Sequence, residues 1–240
     1  MSEHIPQERT DVQVKPGTEA DLVALTALYN HYIRETPITF DTTVFTPRER
    51  LPWLRSHPED GPHRLLVARD TGAPGTGAGS DSGSLPNPAE VRPNRPGTDS
   101  RPGTDNGPDH GPGIRPDRGA PEPGGGAPGE RPWGSVLGYA TSSPLRPKAA
   151  YDTSVEVSVY CAPEAAGRGI GSLLYRALFA ALEGEDVHRA YAGIAGPNEA
   201  SARLHAWFGF RPVGTYREVG RKFGRYWDVT WYEKELGRRM

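Results

Sequence analysis

The sequence contains a single cysteine, Cys161, among its 240 residues. One thiol excludes an intramolecular disulfide and a cysteine-based metal cluster, so no metal is expected. No apolar run approaches the roughly 18 residues that span a bilayer, and the N-terminal residues lack the apolar core of a signal peptide. These absences predict a cytoplasmic protein.

The chain also lacks a strong charge of either sign. Its 28 lysine and arginine residues nearly balance its 30 aspartate and glutamate residues, which gives a formal net charge of −2. A dedicated nucleic-acid or anionic-membrane binder draws on a global basic field, and this composition supplies none. We therefore expect neither nucleic acid nor a membrane as a partner.

Large apolar residues are nearly missing from residues 71–132, where glycine and proline make up almost half of the sequence. Only Leu85, Val91 and Ile114 remain as large apolar side chains. Such a segment cannot bury enough surface to offset the ~1–2 kcal/mol of backbone entropy lost per ordered residue, so we predict that it is disordered.

This segment is interpreted as an insert within one domain. The patterned sequence before it (12–70) and after it (133–237) forms the two parts of that domain, and residues 1–11 form a flexible tail. Doubling the length of a loop costs only about 0.6 kcal/mol, so a fold can accept such an insert in place of a hairpin turn.

Hydrophobic periodicity outside the insert predicts strands and helices in the order β-α-α-β-β-β-α-β-α-β-β. Helices are expected near residues 18–34, 46–57 and 197–208 and in the segment that ends at Leu182, and a loop is expected at 36–46. This order is typical of an α/β (α+β) fold with a mixed sheet and helices on both faces.

The stretch from Val155 to Leu182 joins a strand to a helix through the glycine turn Gly167–Gly171. Such a turn exposes several backbone N–H groups at a helix N-terminus, where an anion binds favourably, and Arg168 adds a positive charge. A tight turn without a ligand is the alternative. The turn lacks the third glycine of a dinucleotide-binding fingerprint and the Lys-Ser/Thr of a Walker A loop.

A carboxylate stands in the middle of the preceding strand, where Glu156 lies between Val155 and Val157. The plain interpretation is a glutamate on the solvent face of the strand. The functional interpretation is a partly buried general base, because desolvation raises the pKa of a carboxyl group toward the range useful for proton transfer.

At this point the residues resemble the GCN5-related N-acetyltransferase (GNAT) superfamily. Its acetyl-CoA motif, Q/R-x-x-G-x-G/A, is matched by AGRGIG at residues 166–171, with Ala166 where Gln or Arg is usual. A closer resemblance is to the phosphinothricin (bialaphos-resistance) acetyltransferase subfamily. It is carried by NHYI (30–33), PITF (37–40), AYDTSVEVSVY (150–160), GPNEASARLH (196–205) and KFGRYWDV (222–229).

The resemblance implies a fold, a co-substrate and an assembly. The fold is the GNAT acyl-CoA N-acyltransferase fold, a three-layer α/β/α structure with a splayed central strand. The co-substrate is acetyl-CoA, whose acetyl group passes to the free amine of a small amino acid such as phosphinothricin, methionine sulfoximine or methionine sulfone. Homodimerisation is an expectation of the family alone.

The resemblance also assigns roles to two catalytic candidates. Glu156 takes the position of the family's catalytic carboxylate, and His205 takes a position where many superfamily members carry a tyrosine that protonates the departing thiolate. The alternative for His205 is a histidine packed between Leu204 and Trp207. Cys161 is interpreted as a buried small hydrophobe and not as a nucleophile.

The candidate ligand-binding residues fall into two sets. The family's acetyl-CoA contacts map onto the strand, the glycine turn and the next helix: Val159, Tyr160, Cys161, Gly167, Arg168, Gly169, Ile170, Gly171, Ser172 and Asn198. Asn198 could equally cap the N-terminus of the later helix predicted at 197–208. Four residues are candidates for binding the substrate. The cations Arg146 and Lys148 could pair with a carboxylate and a phosphinate, and the alternative is that they belong to a solvated basic loop. The aromatic residues Phe40 and Tyr151 take positions where the family lines its substrate pocket.

Two other functions stay open from the sequence. The same scaffold could acetylate a different amine, such as a polyamine, an aminoglycoside or a protein N-terminus. Alternatively, the protein could be a non-catalytic module that binds acyl-CoA and uses the insert to contact a partner. The cations Arg146 and Lys148 argue against a polycationic acceptor, and the scattered prolines of the insert lack regular PxxP spacing.

Overall fold

The computed structural model describes residues 11–72 and 132–237, and within these ranges it contains seven strands and four α-helices. The strands are β1 (Val12–Pro16), β2 (Leu65–Asp70), β3 (Val136–Pro144), β4 (Ser154–Cys161), β5 (Arg189–Ala195), β6 (Arg211–Lys222) and β7 (Arg225–Glu235). The helices are α1 (Leu22–Glu35), α2 (Pro47–Arg55), α3 (Ile170–Leu182) and α4 (Glu199–Trp207). The predicted order of strands and helices is confirmed.

The strands form one mixed sheet in the order β1-β2-β3-β4-β5-β7-β6. All neighbouring strands run antiparallel except β4 and β5, which run parallel. The β4–β5 pairing covers only Ser154 to Glu156, although both strands continue well beyond it. The central strands therefore diverge after Glu156, which confirms the predicted mixed sheet with a splayed central strand.

Helices cover both faces of the sheet at β3, whose residues from Val136 to Ser142 are all buried. Gly138 faces α3, since a side chain added there would meet Leu174 at 3.3 Å. The next residue, Tyr139, points to the other face and packs against Trp53 of α2 with ring centroids 5.8 Å apart. Neighbouring strand residues point to opposite faces, so these contacts define the three predicted layers.

The two parts of the sequence meet where β2 and β3 pair antiparallel, from Leu65 opposite Thr141 to Arg69 opposite Val136. The ends that flank the intervening segment are thus neighbours, as they are at a hairpin turn. The predicted disorder of 71–132 lies outside the described residues except for 71, 72 and 132, and the predicted tail at 1–11 lies outside them except for residue 11. The domain boundaries stay predictions.

Local signals set the starts of the first two helices. Thr18 and Asp21 form the predicted capping interaction through a 2.8 Å bond from the Thr18 N–H to the carboxylate, and a short 3-10 turn then delays α1 to Leu22. Thr46 and Glu49 form a second capping box, so α2 begins at Pro47 and includes Pro52. This pairing satisfies N–H groups that a helix start leaves without partners.

Residues 11–72 and 132–237 contain neither a membrane-spanning helix nor a metal-binding cluster. No helix in these ranges is long and apolar enough to cross a membrane. The same residues contain no cluster of three or more His, Cys, Asp or Glu side chains placed to hold a metal ion.

We predict that Gly138→Ala destabilises the fold. The added Cβ would lie 2.7 Å from the carbonyl oxygen of Tyr160 and 3.1 Å from the Cα of Cys161, and these backbone atoms of β4 cannot yield as a side chain does. The free energy of unfolding, measured by urea denaturation, should fall by about 1–3 kcal/mol. Gly214→Ala in β6 is the control, because a Cβ there meets nothing within 4 Å, and equal stability of the two variants would contradict the prediction.

Candidate active site

The divergence of β4 and β5 opens the sheet at Glu156, and two cavities border β4 beyond this point. The larger cavity, of about 280 Å³, is lined by side chains from α1, α2, β3 and β4 together with the loop at 36–46. The smaller, of about 40 Å³, lies between β4, β5, α3 and α4. Ser158 and Tyr160 border both, so β4 is the shared wall of the site.

Glu156 lines the larger cavity and is half-buried. Burial raises the pKa of its carboxyl group, and the nearby positive charge of Arg146 opposes that rise without cancelling it. A carboxylate with a raised pKa holds a proton more readily once it has accepted one, which is the property a general base needs. The solvent-facing alternative does not describe this residue.

Tyrosines form the wall of the larger cavity. The rings of Tyr139 and Tyr160 stack with centroids 5.3 Å apart, and Tyr29 meets Tyr160 edge-on at 5.4 Å. The Tyr29 hydroxyl also donates to Asp41 and lies 2.8 Å from the Thr39 hydroxyl. These bonds hold the predicted loop at 36–46 over the cavity.

A second set of bonds fixes the far end of the same loop. The Asn30 side chain of α1 donates to the carbonyl oxygen of Phe45 at 2.7 Å and accepts the Phe45 N–H at 2.9 Å. Phe45 and Asp41 both line the larger cavity. The loop is therefore a fixed part of the site and not only a connection between helices.

His205 lies on α4 and is buried, with both ring nitrogens engaged. Its Nδ1 lies 2.7 Å from the carbonyl oxygen of Ser201, which can only accept, so Nδ1 carries the hydrogen. Its Nε2 lies 2.9 Å from the Tyr175 hydroxyl and therefore accepts from it. Burial lowers the pKa of His205, and the bond to Ser201 only partly opposes this, so the ring is neutral.

Asn198 stands at the N-terminus of α4, where its Oδ1 accepts the Ser201 N–H at 3.1 Å. The capping interpretation of this residue is thus confirmed. Asn198 also lines the smaller cavity together with Val159 and His205. Because the cap uses only Oδ1, the amide N–H groups stay available to a ligand in that cavity.

The glycine turn has the backbone geometry that an anion site needs. Gly167 and Gly169 have φ values of +74° and +76°, in the left-handed region that favours glycine. Gly169 is the N-cap of α3, and no side chain caps this helix end. The first N–H groups of α3 therefore point out of the helix without intrahelical partners, which suits the pyrophosphate of a CoA-type cofactor.

The expected substrate residues are not brought together. Arg146 lies close enough to Glu156 to affect its pKa, and its guanidinium carbon is 5.8 Å from the ring centroid of Trp231. Lys148 and Tyr151 are exposed on the turn that leads into β4, and neither lines the two cavities. Phe40 packs against Gly220 of β6, also outside these cavities.

Comparison with known proteins identifies the family. The model of the acetyltransferase (GNAT) family matches residues 109–210. A phosphinothricin N-acetyltransferase of Streptomyces coelicolor is 55% identical over 94% of this chain and 97% of the relative. An N-acetyltransferase of Streptomyces griseus is 51% identical over 97% of this chain and 90% of the relative. The chain belongs to the GNAT family, in its phosphinothricin acetyltransferase-like group.

A solved GNAT structure shares the fold. The phosphinothricin acetyltransferase of Sinorhizobium meliloti, solved in complex with acetyl-CoA, is 22% identical and superposes with a TM-score of 0.65 over 95% of this chain and 90% of that one. The fold and the enzyme class expected from the sequence are confirmed. The chain is an N-acetyltransferase of the GNAT type with acetyl-CoA as its co-substrate.

Sequence reasoning missed several residues of this GNAT site. Arg50 and Trp53 of α2 line the larger cavity with Tyr29 and Tyr139, and Tyr175 of α3 lines the smaller one. The sequence offered one signal for Arg50 and Trp53. They are three residues apart, and residues at i and i+3 share a helix face, so a helix here places both side chains on the same side. The other positions depend on contacts between elements that no local pattern encodes.

We predict that two variants of Asn198 differ in stability. Asn198→Ala loses the cap of α4 and should lower the free energy of unfolding by about 1 kcal/mol, whereas Asn198→Asp keeps an oxygen that accepts the Ser201 N–H and should stay near wild type. Urea denaturation of the three proteins measures the difference. Equal loss in both variants would show that the cap contributes little.

Proposed function

We propose that this GNAT enzyme acetylates the free amine of a small amino acid of the phosphinothricin, methionine sulfoximine or methionine sulfone type. The observation that carries the proposal is a half-buried glutamate with a raised pKa in a cavity of about 280 Å³. This volume suits a small acceptor. The names of the relatives support the same substrate class.

The cavity fits a zwitterionic acceptor. An α-amine placed at Glu156 brings its neighbouring carboxylate toward Arg146, the cation that already affects the pKa of that glutamate. Arginine offers two parallel hydrogen bonds to a carboxylate. A polyamine, an aminoglycoside or a protein N-terminus lacks this carboxylate beside its amine, so we favour the amino acid over these alternatives.

Direct transfer follows from this arrangement. Glu156 accepts a proton from the ammonium group, directly or through one water, and the freed nitrogen attacks the acetyl carbonyl carbon. The new C–N bond replaces the C–S bond as the thiolate leaves. The nitrogen then loses its second proton, and the thiolate takes up one proton, which balances the reaction. Acetyl-CoA supplies the activated thioester, and the residues of the chain supply the base and the positioning.

Acetyl-CoA is assigned mainly to backbone groups of the chain. We propose that the first N–H groups of α3, the turn from Gly167 to Ser172 and the side chain of Arg168 receive the pyrophosphate. The β4 segment Val159–Cys161 receives the pantetheine arm, because β4 no longer pairs with β5 there. The Tyr32 hydroxyl fixes this segment through a 2.7 Å bond to the carbonyl oxygen of Cys161.

His205 is assigned a positioning role. A neutral ring that donates Nδ1–H to Ser201 and accepts the Tyr175 hydroxyl hydrogen has no proton ready for the departing thiolate. It instead holds Tyr175 and α4 in place beside the cleft. This assignment favours the packed-histidine interpretation over the proton donor that many superfamily members carry at this position.

The proposal also includes a homodimer and a cytoplasmic location. The hairpin of β6 and β7 exposes large apolar side chains, among them Val213, Tyr216 and Tyr226, each more than half exposed. Exposed apolar side chains of this kind support the homodimer expected from the family resemblance. The cytoplasmic location expected from the sequence belongs to the same proposal.

We predict that Glu156→Gln lowers kcat by about 10²- to 10⁴-fold, the usual contribution of a general base. The base must be deprotonated, so kcat/KM of the wild type should rise with pH through the raised pKa of Glu156, and this limb should disappear in the variant. CoA release with a thiol reagent, at saturating acetyl-CoA and with phosphinothricin as acceptor, measures both.

The control for this experiment is Glu183→Gln, which removes the same charge from an exposed position at the end of α3. Turnover of Glu156→Gln equal to that of the control would refute the base assignment. Absence of CoA release by the wild type with all three amino acids would refute the substrate class instead.

A second prediction concerns Asn198 and the cofactor. If its amide N–H groups contact acetyl-CoA, Asn198→Asp keeps the cap but loses these donors and places a negative charge in the cofactor cleft. The KM for acetyl-CoA should rise about 10-fold while the stability stays near wild type. An unchanged KM would limit Asn198 to its capping role.

A further inference from the structure

Arg50 is a buried cation in the larger cavity that the proposed mechanism does not use. It lies on α2, is 5% exposed and lines the cavity with Glu156. Its Nη1 is buried without a hydrogen-bond partner, and none of residues 11–72 and 132–237 forms an ion pair with it. A buried charge without a partner is costly, so its retention calls for a ligand.

Two aromatic rings hold the guanidinium group of Arg50 in place. Its central carbon lies 4.1 Å from the ring centroid of Tyr29 and 3.9 Å from that of Trp53. Cation–π contacts stabilise a guanidinium charge that is withdrawn from water. They use no N–H donor, so the Nη1 donors stay available to a ligand.

A second polar group lies beside Arg50. The Tyr139 hydroxyl is buried close to the guanidinium group of Arg50, makes no hydrogen bond to the described residues and belongs to a residue that lines the same cavity. Burial raises the pKa of Tyr139 to about 12, against the opposing charge of Arg50, so the phenol keeps its proton. A cation and a neutral phenol together form a pair of donors suited to an oxyanion.

Arg50 and Glu156 mark different parts of the cavity. Arg50 acts on the pKa values of Tyr139 and Tyr160, whereas the positive charge that acts on Glu156 is Arg146. Glu156 and Tyr160 are four residues apart on β4, or about 13 Å at 3.3 Å per residue. The cavity thus extends along β4, with Arg50 in its lining and Arg146 outside the lining but near Glu156.

Carboxylates also face this cavity and limit what it accepts. Asp41 is held by the Tyr29 hydroxyl, and the Glu49 side chain caps α2 through Thr46. Both carboxylates are thereby engaged by neighbouring groups. Among the buried side-chain atoms that line this cavity, in the part of the chain that the structure describes, Arg50 Nη1 and the Tyr139 hydroxyl lack a hydrogen-bond partner.

We propose that Arg50, assisted by Tyr139, binds an oxyanion at the far end of the acceptor's side chain and so selects amino acids that carry one. This inference rests on the proposed function and adds a specificity residue to it. An acceptor with an amine and a carboxylate at one end and a phosphinate at the other could pair with Arg146 near Glu156 and with Arg50 in the cavity. An amino acid with an apolar end would leave Arg50 without a partner.

The test compares wild type, Arg50→Gln and Arg50→Lys with three acceptors of similar length. Phosphinothricin ends in an anion, methionine sulfone ends in neutral oxygens, and norleucine ends in a methyl group. Arg50→Gln should reduce kcat/KM at least about 10-fold for phosphinothricin, less for methionine sulfone, and within about 2-fold for norleucine. Arg50→Lys should retain part of the phosphinothricin activity, because it keeps the charge without the planar fork.

The ratio of kcat/KM for phosphinothricin to that for norleucine is the decisive quantity, because it does not depend on the fraction of folded protein. Arg48→Gln is the matched control, since it removes the same charge from an exposed position of the same helix and should leave the ratio unchanged. An unchanged ratio in both Arg50 variants, with activities lost equally or not at all, would overturn the inference. Absence of activity of the wild type on every amino acid would refute the proposed function itself.

Discussion

The separation of β4 from β5 after Glu156 is the constraint on which the site depends. A sheet satisfies its backbone by pairing, and a central strand that loses a partner exposes N–H and C=O groups inside the protein. Here β4 keeps β3 along its full length and loses β5 after three residues. The opened edge can receive an arm with amide groups, and the last paired residue is the candidate base.

The two faces of β4 divide the chemistry between them. On one face, α2 and the 36–46 loop enclose the cavity that we propose for the acceptor, and on the other, α3 and α4 border the cleft that we propose for the cofactor. Alternation along the strand allows this, because Glu156, Ser158 and Tyr160 point to one face while Val155 and Val157 anchor the other in the core. One strand therefore fixes the distance between the two reactants.

Local signals in the sequence suggested candidates for the cofactor side, which stay predictions, and indicated few of the residues that line the larger cavity. Glu156 and the glycine turn belong to one continuous stretch, where strand alternation and glycine spacing are local signals. The cavity proposed for the acceptor is instead assembled from two helices, two strands and the 36–46 loop. Lys148 and Tyr151 are near Glu156 in sequence but lie outside the cavity, whereas Arg50 is more than a hundred residues away in sequence and lines it. Closeness along the chain is a poor guide where helices from another layer close the site.

The two interpretations of Asn198 show why a residue type alone did not decide a role. Its carbonyl oxygen caps α4, and the residue lines the cleft that we propose for the cofactor, so the cap and the proposed contact use different atoms of one side chain. Arg50 follows the same logic, since two aromatic rings contact its guanidinium group while its Nη1 is left without a hydrogen bond. In both residues the structural contact fixes the orientation of the atoms that remain. A role in packing is therefore a condition for precise binding at these positions and not an alternative to it.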